Sequence, residues 1–170
     1  YEFKNFVLFK IRIRKWKKLY KSIGIKKFHT IQNVFYNKSK KKNISTQKKT
    51  DVLKIKIKNL SVGDLIYDTY LRFRVKKTID TKDAYFEKLL FISEIIIKDL
   101  SNFFSRKKIS YYFTTFSSYI HHGIPCRFFL DKKINVYSYG SIHSYAKKLS
   151  IKDPLHNDNF LILKKNFSKL

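Results

Sequence analysis

The chain has 170 residues and a formal net charge of +26, from 38 Lys+Arg against 12 Asp+Glu, with 44% hydrophobic and 17% aromatic residues. That is enough apolar material for one domain with a real core, and it excludes a disordered composition. A single cysteine, Cys126, excludes an intrachain disulfide and fits a reducing compartment.

The charge has two sources to weigh. Of the basic residues, 32 are Lys and 6 are Arg, while Ile occurs 21 times and Ala twice. Lys, Ile, Asn, Phe and Tyr are the products of AT-rich codons, so base composition accounts for much of the charge. A strongly basic chain invites nucleic acid or an anionic membrane surface as partner. Readers of nucleic acid favour Arg for bidentate contacts, however, and Arg is scarce here. No apolar run reaches membrane-span length; residues 89–97 come nearest, and Ser93 and Glu94 interrupt them. Methionine is absent and the chain begins at Tyr1, so the start of translation is expected upstream and the chain is read as part of a longer protein.

In chain order, Phe9, Ile11 and Ile13 alternate with Lys10, Arg12 and Arg14, which predicts a strand. Residues 16–22 read as a short helix stopped by Gly24. Residues 37–50 are Lys, Ser, Asn, Thr and Gln with almost nothing apolar, an exposed basic loop. Alternation of Leu53, Ile55 and Ile57 with lysines predicts a strand over 52–57. A helix over 63–72 follows. On it Asp64, Asp68 and Arg72 form one polar stripe, with Ile66, Tyr70 and Phe73 opposite and Leu65 and Leu71 flanking. Such a stripe lines a polar cleft or is a surface Asp68–Arg72 pair.

Asp80 and Asp83 are placed to favour the start of a helix over 84–104. Residues 110–115 and 134–139 are β-rich, and 117–130 between them is helical in pattern, with Ser or Thr as its cap. Pro125 either kinks that helix or opens a second short one. Two strands and a helix in this span predict a βαβ unit, hence an α/β fold with a mainly parallel sheet and flanking helices. A last helix is expected over 158–167.

The four glycines make neither G-x-G-x-x-G nor a phosphate-binding P-loop, which excludes nucleotide binding by those routes within this chain. His121, His122, Cys126, His143 and His156 are the soft-ligand inventory, but their spacing makes no zinc set, so no metal is expected. No G-x-S-x-G elbow accompanies Ser117 and Ser118. Thr114, Thr115, Ser117 and Ser118 follow the 110–115 strand, where ligands bind in parallel α/β sheets. Tyr119 and His122 lie in the next turns. Asp64, Asp68 and Arg72 are therefore expected to converge with Thr115, Ser118 and His122 at one cleft.

The run I-K-N-L-S-V-G-D-L-I-Y-D-T-Y-L-R at 57–72, T-I-D at 78–80, Y-I-H-H-G-I-P-C-R at 119–127 and I-N-V-Y at 134–137 resemble bacterial surface-carbohydrate biosynthesis proteins, glycosyltransferases of the capsule and lipopolysaccharide type. W-K-K-L-Y-K-S-I-G at 16–24 resembles the segment that precedes the G-D-L-I-Y-D string there. The resemblance implies an incomplete N-terminal half of a GT-B-like architecture: residues 1–170 as one partial Rossmann-like domain on the acceptor side. The nucleotide-sugar donor is expected in a C-terminal domain outside this chain, so no cofactor is expected within it. Asp64, Asp68 and, in reserve, His122 are the candidate catalytic residues on this reading. Gly63, Tyr67, Arg72, Thr115, Ser118, Tyr119 and Arg127 are the candidate substrate-binding residues. Expected partners are a sugar acceptor and a nucleotide sugar. The expected location is cytoplasmic, with peripheral contact to the inner membrane. The alternatives are a Lys-rich nucleic-acid-binding module and a membrane-peripheral scaffold without chemistry.

Overall fold

The computed structural model describes residues 2–30, 49–139 and 146–156, with side chains over 10–30, 51–139 and 146–156. The chain divides into two compact units, Tyr1–Lys38 and Ser39–Leu170, where one domain over 1–170 is expected from the sequence. The fold is mixed α/β.

The first unit carries α1, Glu2–Ser22. The strand expected at residues 9–14 is therefore helix. Six alternating residues, 9–14, are a short signal, and Lys, Arg and Leu, which dominate 10–21, are strong helix formers. The stop is where the sequence places it. Gly24 takes φ +91°. Its N–H bonds the Lys21 carbonyl at 3.1 Å and the Ile25 N–H bonds the Tyr20 carbonyl at 3.0 Å, a Schellman closure. The chain then turns back, so that Phe28 lies 6.4 Å from the Tyr20 ring.

The second unit begins with one helical turn, α2 (Lys49–Val52), then β1 (Lys56–Ile57) and β2 (Leu60–Ser61). The strand predicted over 52–57 is thus a turn of helix and two residues of an antiparallel hairpin. Lys58 and Asn59 both take positive φ, the geometry of a tight two-residue hairpin turn. This hairpin pairs with no other strand among the described residues, so the expected parallel sheet loses one member. Residues 37–48 of the expected basic loop lie outside the described residues, and its last two positions belong to α2.

Helices α3 (Gly63–Phe73) and α4 (Ala84–Phe104) match their predicted spans closely. Leu65, Ile66 and Tyr70 are buried, while Phe73, expected on the same face, is 60% exposed in the last turn of α3. Asp83 caps α4 by accepting the Tyr85 N–H at 2.9 Å, and its other oxygen accepts the buried Tyr70 hydroxyl at 2.9 Å. The apolar stripe of α4, Leu89, Leu90, Ile96, Ile97 and Leu100, faces the core.

The βαβ unit is present. β3 (Tyr111–Thr114) and β4 (Asn135–Ser138) pair in parallel, from Tyr111 with Asn135 to Thr114 with Ser138. Between them run a π-helical turn, Tyr119–Gly123, and α5, Ile124–Asp131. Pro125 opens α5 in its first turn, where no N–H is needed. β5 (Lys147–Leu149) adds antiparallel to β4, giving a mixed sheet of order β3-β4-β5. The tail helix expected over 158–167 lies outside the described residues.

A candidate polar site between α3 and the turn after β3

The junction of α3 with the turn after β3 is built by small residues. A Cβ on Gly123 would stand 2.4 Å from a Leu65 methyl and 2.6 Å from the Ser117 carbonyl, so only glycine lets the turn approach α3 this closely. A Cβ on Gly63 would stand 2.0 Å from the Val52 carbonyl oxygen. Gly63, a candidate substrate-binding residue, is therefore buried against backbone and serves packing.

A hydroxyl from outside the βαβ unit caps the turn. Ser118 stands at its N-cap position but makes no side-chain cap bond. Thr69 of α3 instead accepts the Ile120 N–H at 3.0 Å and donates to its own helix at the Leu65 carbonyl, 2.6 Å away. The local cap expected from Ser or Thr is thus supplied from 51 residues away. A second brace holds the exit of β3. Ser117 Oγ accepts the His156 N–H at 2.7 Å, and the Ser117 N–H donates to His156 Nδ1 at 3.3 Å.

The polar stripe of α3 divides between two partners. Arg127 of α5 grips Asp64 through both guanidinium nitrogens, Nη1 to Oδ1 at 2.6 Å and Nη2 to Oδ2, and donates also to the Ser61 carbonyl at 2.9 Å. Burial pushes the Asp64 carboxyl up, but the hydrogen bonds and charge of Arg127 outweigh it, so its pKa lies below the usual Asp value. Asp68, one turn on, moves the other way. Partial burial raises its pKa, the Asp64 charge raises it further, and the more distant Arg127 only partly opposes them. The Asp68–Arg72 pair does not form; among the described residues neither has an ion pair or hydrogen bond.

Asp68, Leu71, Arg72, Ser118 and Tyr119 line an open depression of about 280 Å³. Tyr119 takes φ +60°, a left-handed conformation that side chains other than glycine rarely adopt. Its ring stacks on His121 at 6.0 Å. The expected convergence is therefore partial. Asp68 and Arg72 meet Ser118 and Tyr119 of the turn, while Asp64 is paired with Arg127 of α5. Thr115 and Tyr67 do not line the depression. Neither does His122, whose ring lies 5.8 Å from Phe116 and 4.3 Å from His121; burial holds its pKa low. The convergence arises from helix packing, because the hairpin before α3 is not part of the β3–β4 sheet.

A larger depression of about 350 Å³ lies at Lys76, Lys77, Thr78, Ile79 and Asp80. Two of its charges are engaged with each other, Lys76 lying 3.5 Å from Asp80, and Lys76 stands 3.9 Å from Asp83 as well. Among the described residues no three His, Cys, Asp or Glu side chains gather as a metal site. No described helix is long and apolar enough to cross a membrane. Thr69 and the Ser117–His156 brace are the site features that sequence reasoning missed. Thr69 carries a faint signal, a hydroxyl between the buried Ile66 and Tyr70, whereas nothing in the sequence points to His156. No protein-family model, curated protein or solved structure matches this chain.

Proposed function

We propose that this chain is the acceptor-side part of a glycosyltransferase of bacterial surface polysaccharide assembly, with a GT-B-like, Rossmann-like domain plan, and that the Asp68 depression receives the acceptor sugar. One observation carries the reading. The two sequence strings behind the resemblance, 57–72 and 119–127, lie far apart in the chain yet pack on each other through Thr69–Ile120, Asp64–Arg127 and Leu65–Gly123. Asp68 and Arg72 of the first string and Tyr119 of the second edge one depression.

Transfer needs an acceptor hydroxyl to lose its proton as it attacks the anomeric carbon of the donor sugar, whose nucleotide departs. Asp68 is the general base of this scheme. Its carboxylate is solvent-accessible, and its raised pKa makes it a stronger base than an ordinary Asp. Asp64, neutralised by Arg127, is the weaker base and a positioning residue; two neighbouring carboxylates with pKa values driven apart are a pattern of acid–base sites. Arg72 offers charge to an anionic sugar or aligns the Asp68 carboxylate. On this reading the nucleotide sugar is not held at this depression.

In the complete enzyme, sugar transfer from a nucleotide donor tests this. Asp68→Asn lowers the transfer rate about 10²-fold or more while the protein stays folded, the scale of a lost general base. Unchanged turnover removes Asp68 from the mechanism.

A second reading, nucleic-acid binding, has one observation in its favour. Tyr111, Phe113 and Tyr137 form a ladder across β3 and β4, with Phe113 and Tyr137 stacked at 5.6 Å and Tyr111 and Phe113 each 59% exposed. Lys148 pairs in register beside Tyr137. Stacked aromatics beside basic charge suit single-stranded bases. Salt-sensitive binding of an oligonucleotide that is lost in Phe113→Ala supports this second reading over the first.

A further inference from the structure

The helix α1 carries an amphipathic design that the sugar-transfer reading leaves unused. Over residues 10–22 it holds seven Lys or Arg and no Asp or Glu. At 3.6 residues per turn, Ile13, Trp16, Leu19 and Tyr20 fall within about 120° of the circumference. Lys10, Arg14, Lys15, Lys17, Lys18 and Lys21 occupy the other side; Arg12 breaks the apolar face and Ile11 the basic one. Among the described residues the apolar face is exposed: Trp16 is 55% exposed, Leu19 53% and, just past the helix end, Ile23 68%. Trp16 stacks on Tyr20 at 5.8 Å, which keeps the indole on that face. The Gly24 closure and the return of Phe28 toward Tyr20 hold the helix end in a defined shape.

We infer that α1 is an interfacial helix that lies in the plane of an anionic bilayer. A helix with Trp and Leu on one face and Lys on the other buries its apolar side at the headgroup–acyl boundary, while its basic side meets anionic headgroups. Each juxtamembrane Lys or Arg strengthens such binding roughly fivefold. Nucleic acid would use the basic face and leave Trp16, Leu19 and Ile23 in water. The open apolar face therefore favours a lipid surface. The inference is independent of the sugar-transfer reading, since a chain that fails to act on sugars can still bind a bilayer through α1.

Trp16 is the chain's single tryptophan, so its fluorescence reports on this helix alone. The full 170-residue chain is titrated with phosphatidylcholine vesicles with and without phosphatidylglycerol. The expected result is a blue shift and quenching by bromine-labelled acyl chains with anionic vesicles only, reversed by salt as screening shortens. Leu19→Glu with Ile23→Glu abolishes the shift. Arg14→Gln with Lys18→Gln weakens vesicle binding roughly 25-fold. Duplex DNA added in place of vesicles gives no blue shift. Absence of a shift with anionic vesicles, or full vesicle binding by the apolar-face variant, overturns the inference. Where a variant loses helicity by circular dichroism, the wild-type quenching by bromine-labelled lipid decides.

Discussion

Replacing Thr69 by Val keeps the shape of the side chain and removes only its hydroxyl. Thr69 is 2% exposed and Ile120, whose N–H it accepts at 3.0 Å, is 4% exposed. In the variant this N–H has no replacement partner, because Ser118 does not cap the turn. Leaving a buried donor unpaired costs about 1–3 kcal/mol. A loss of about 2 kcal/mol raises the unfolded fraction roughly 30-fold. Urea denaturation, with the slope unchanged, reads the loss as a lower midpoint. Thr69→Ser is the control: it keeps the hydroxyl and gives up one methyl, at about 0.5–1.5 kcal/mol. The two variants separate at one amide. Exchange at Ile120 accelerates beyond the global change in Thr69→Val and stays protected in Thr69→Ser. If the Ile120 amide is equally protected in both, and Thr69→Val lies within about 0.5 kcal/mol of the parent, the cross-element cap is not holding the turn.

Gly63→Ala drives a Cβ into backbone at the Val52 carbonyl oxygen, 2.0 Å away, and to within 2.7 Å of Leu53, so it is expected to cost about 1–3 kcal/mol or more in urea denaturation. The lowered pKa of Asp64 means that its pairing with Arg127 stabilises the fold above the unfolded-state value of about 4 and loses that contribution as pH falls through the folded value. Asp64→Asn should therefore flatten the acid limb of the stability–pH curve, measured by thermal melts; an unchanged limb counts against the pair. Asp68 has the opposite sign. Its raised pKa makes the charged form a small burden on the fold at neutral pH, and Asp68→Asn should leave stability equal or slightly higher, within about 0.5 kcal/mol. Cys126 is fully buried and its thiol is pushed up to about 12, chiefly by burial, so a thiol reagent at mildly alkaline pH should label it only as the chain unfolds. Rapid labelling of the folded chain would contradict that environment.

The helices and the βαβ unit were legible because their signals are local and long. The α4 pattern runs for 21 residues and ends on its own caps, and the two β-rich runs at 110–115 and 134–139 bracket Pro125, which could kink a helix or open one and which opens α5. The misreadings at 9–14 and 52–57 share one cause. Both rest on Ile alternating with Lys or Arg over about six residues, and a chain this rich in Ile and Lys produces such alternation without a sheet to receive it. The site was legible only in part. The stripe on α3 and the hydroxyls after β3 are visible as residue types, but their pairing is not. Arg127 rather than Arg72 takes Asp64, because α5 lies against β2, just before α3, and brings Arg127 within reach of Ser61 and Asp64, a fact of tertiary placement. The same holds for Thr69 and His156, whose partners lie 51 and 39 residues away.

The fold itself separates candidate residues that hold the site from those that have no structural task. Gly63 is spent on backbone contact, Thr69 on the turn, Asp64 and Arg127 on each other, and Ser117 on His156. Remove these and the junction of α3 with the turn loses its geometry. Asp68 and Arg72 carry opposite charges one helical turn apart and yet make no ion pair among the described residues. Tyr119 is held at φ +60° at the head of the turn. The raised pKa of Asp68 and the strained backbone of Tyr119 each work against stability, the latter by about 1–3 kcal/mol. Both stand, with Arg72, at one depression. Packing alone gives no reason for this, whereas binding a polar ligand there does. Asp68, Arg72 and Tyr119 are therefore the positions at which substitution should separate binding from folding, and Thr69 and Gly63 are those at which the two fall together.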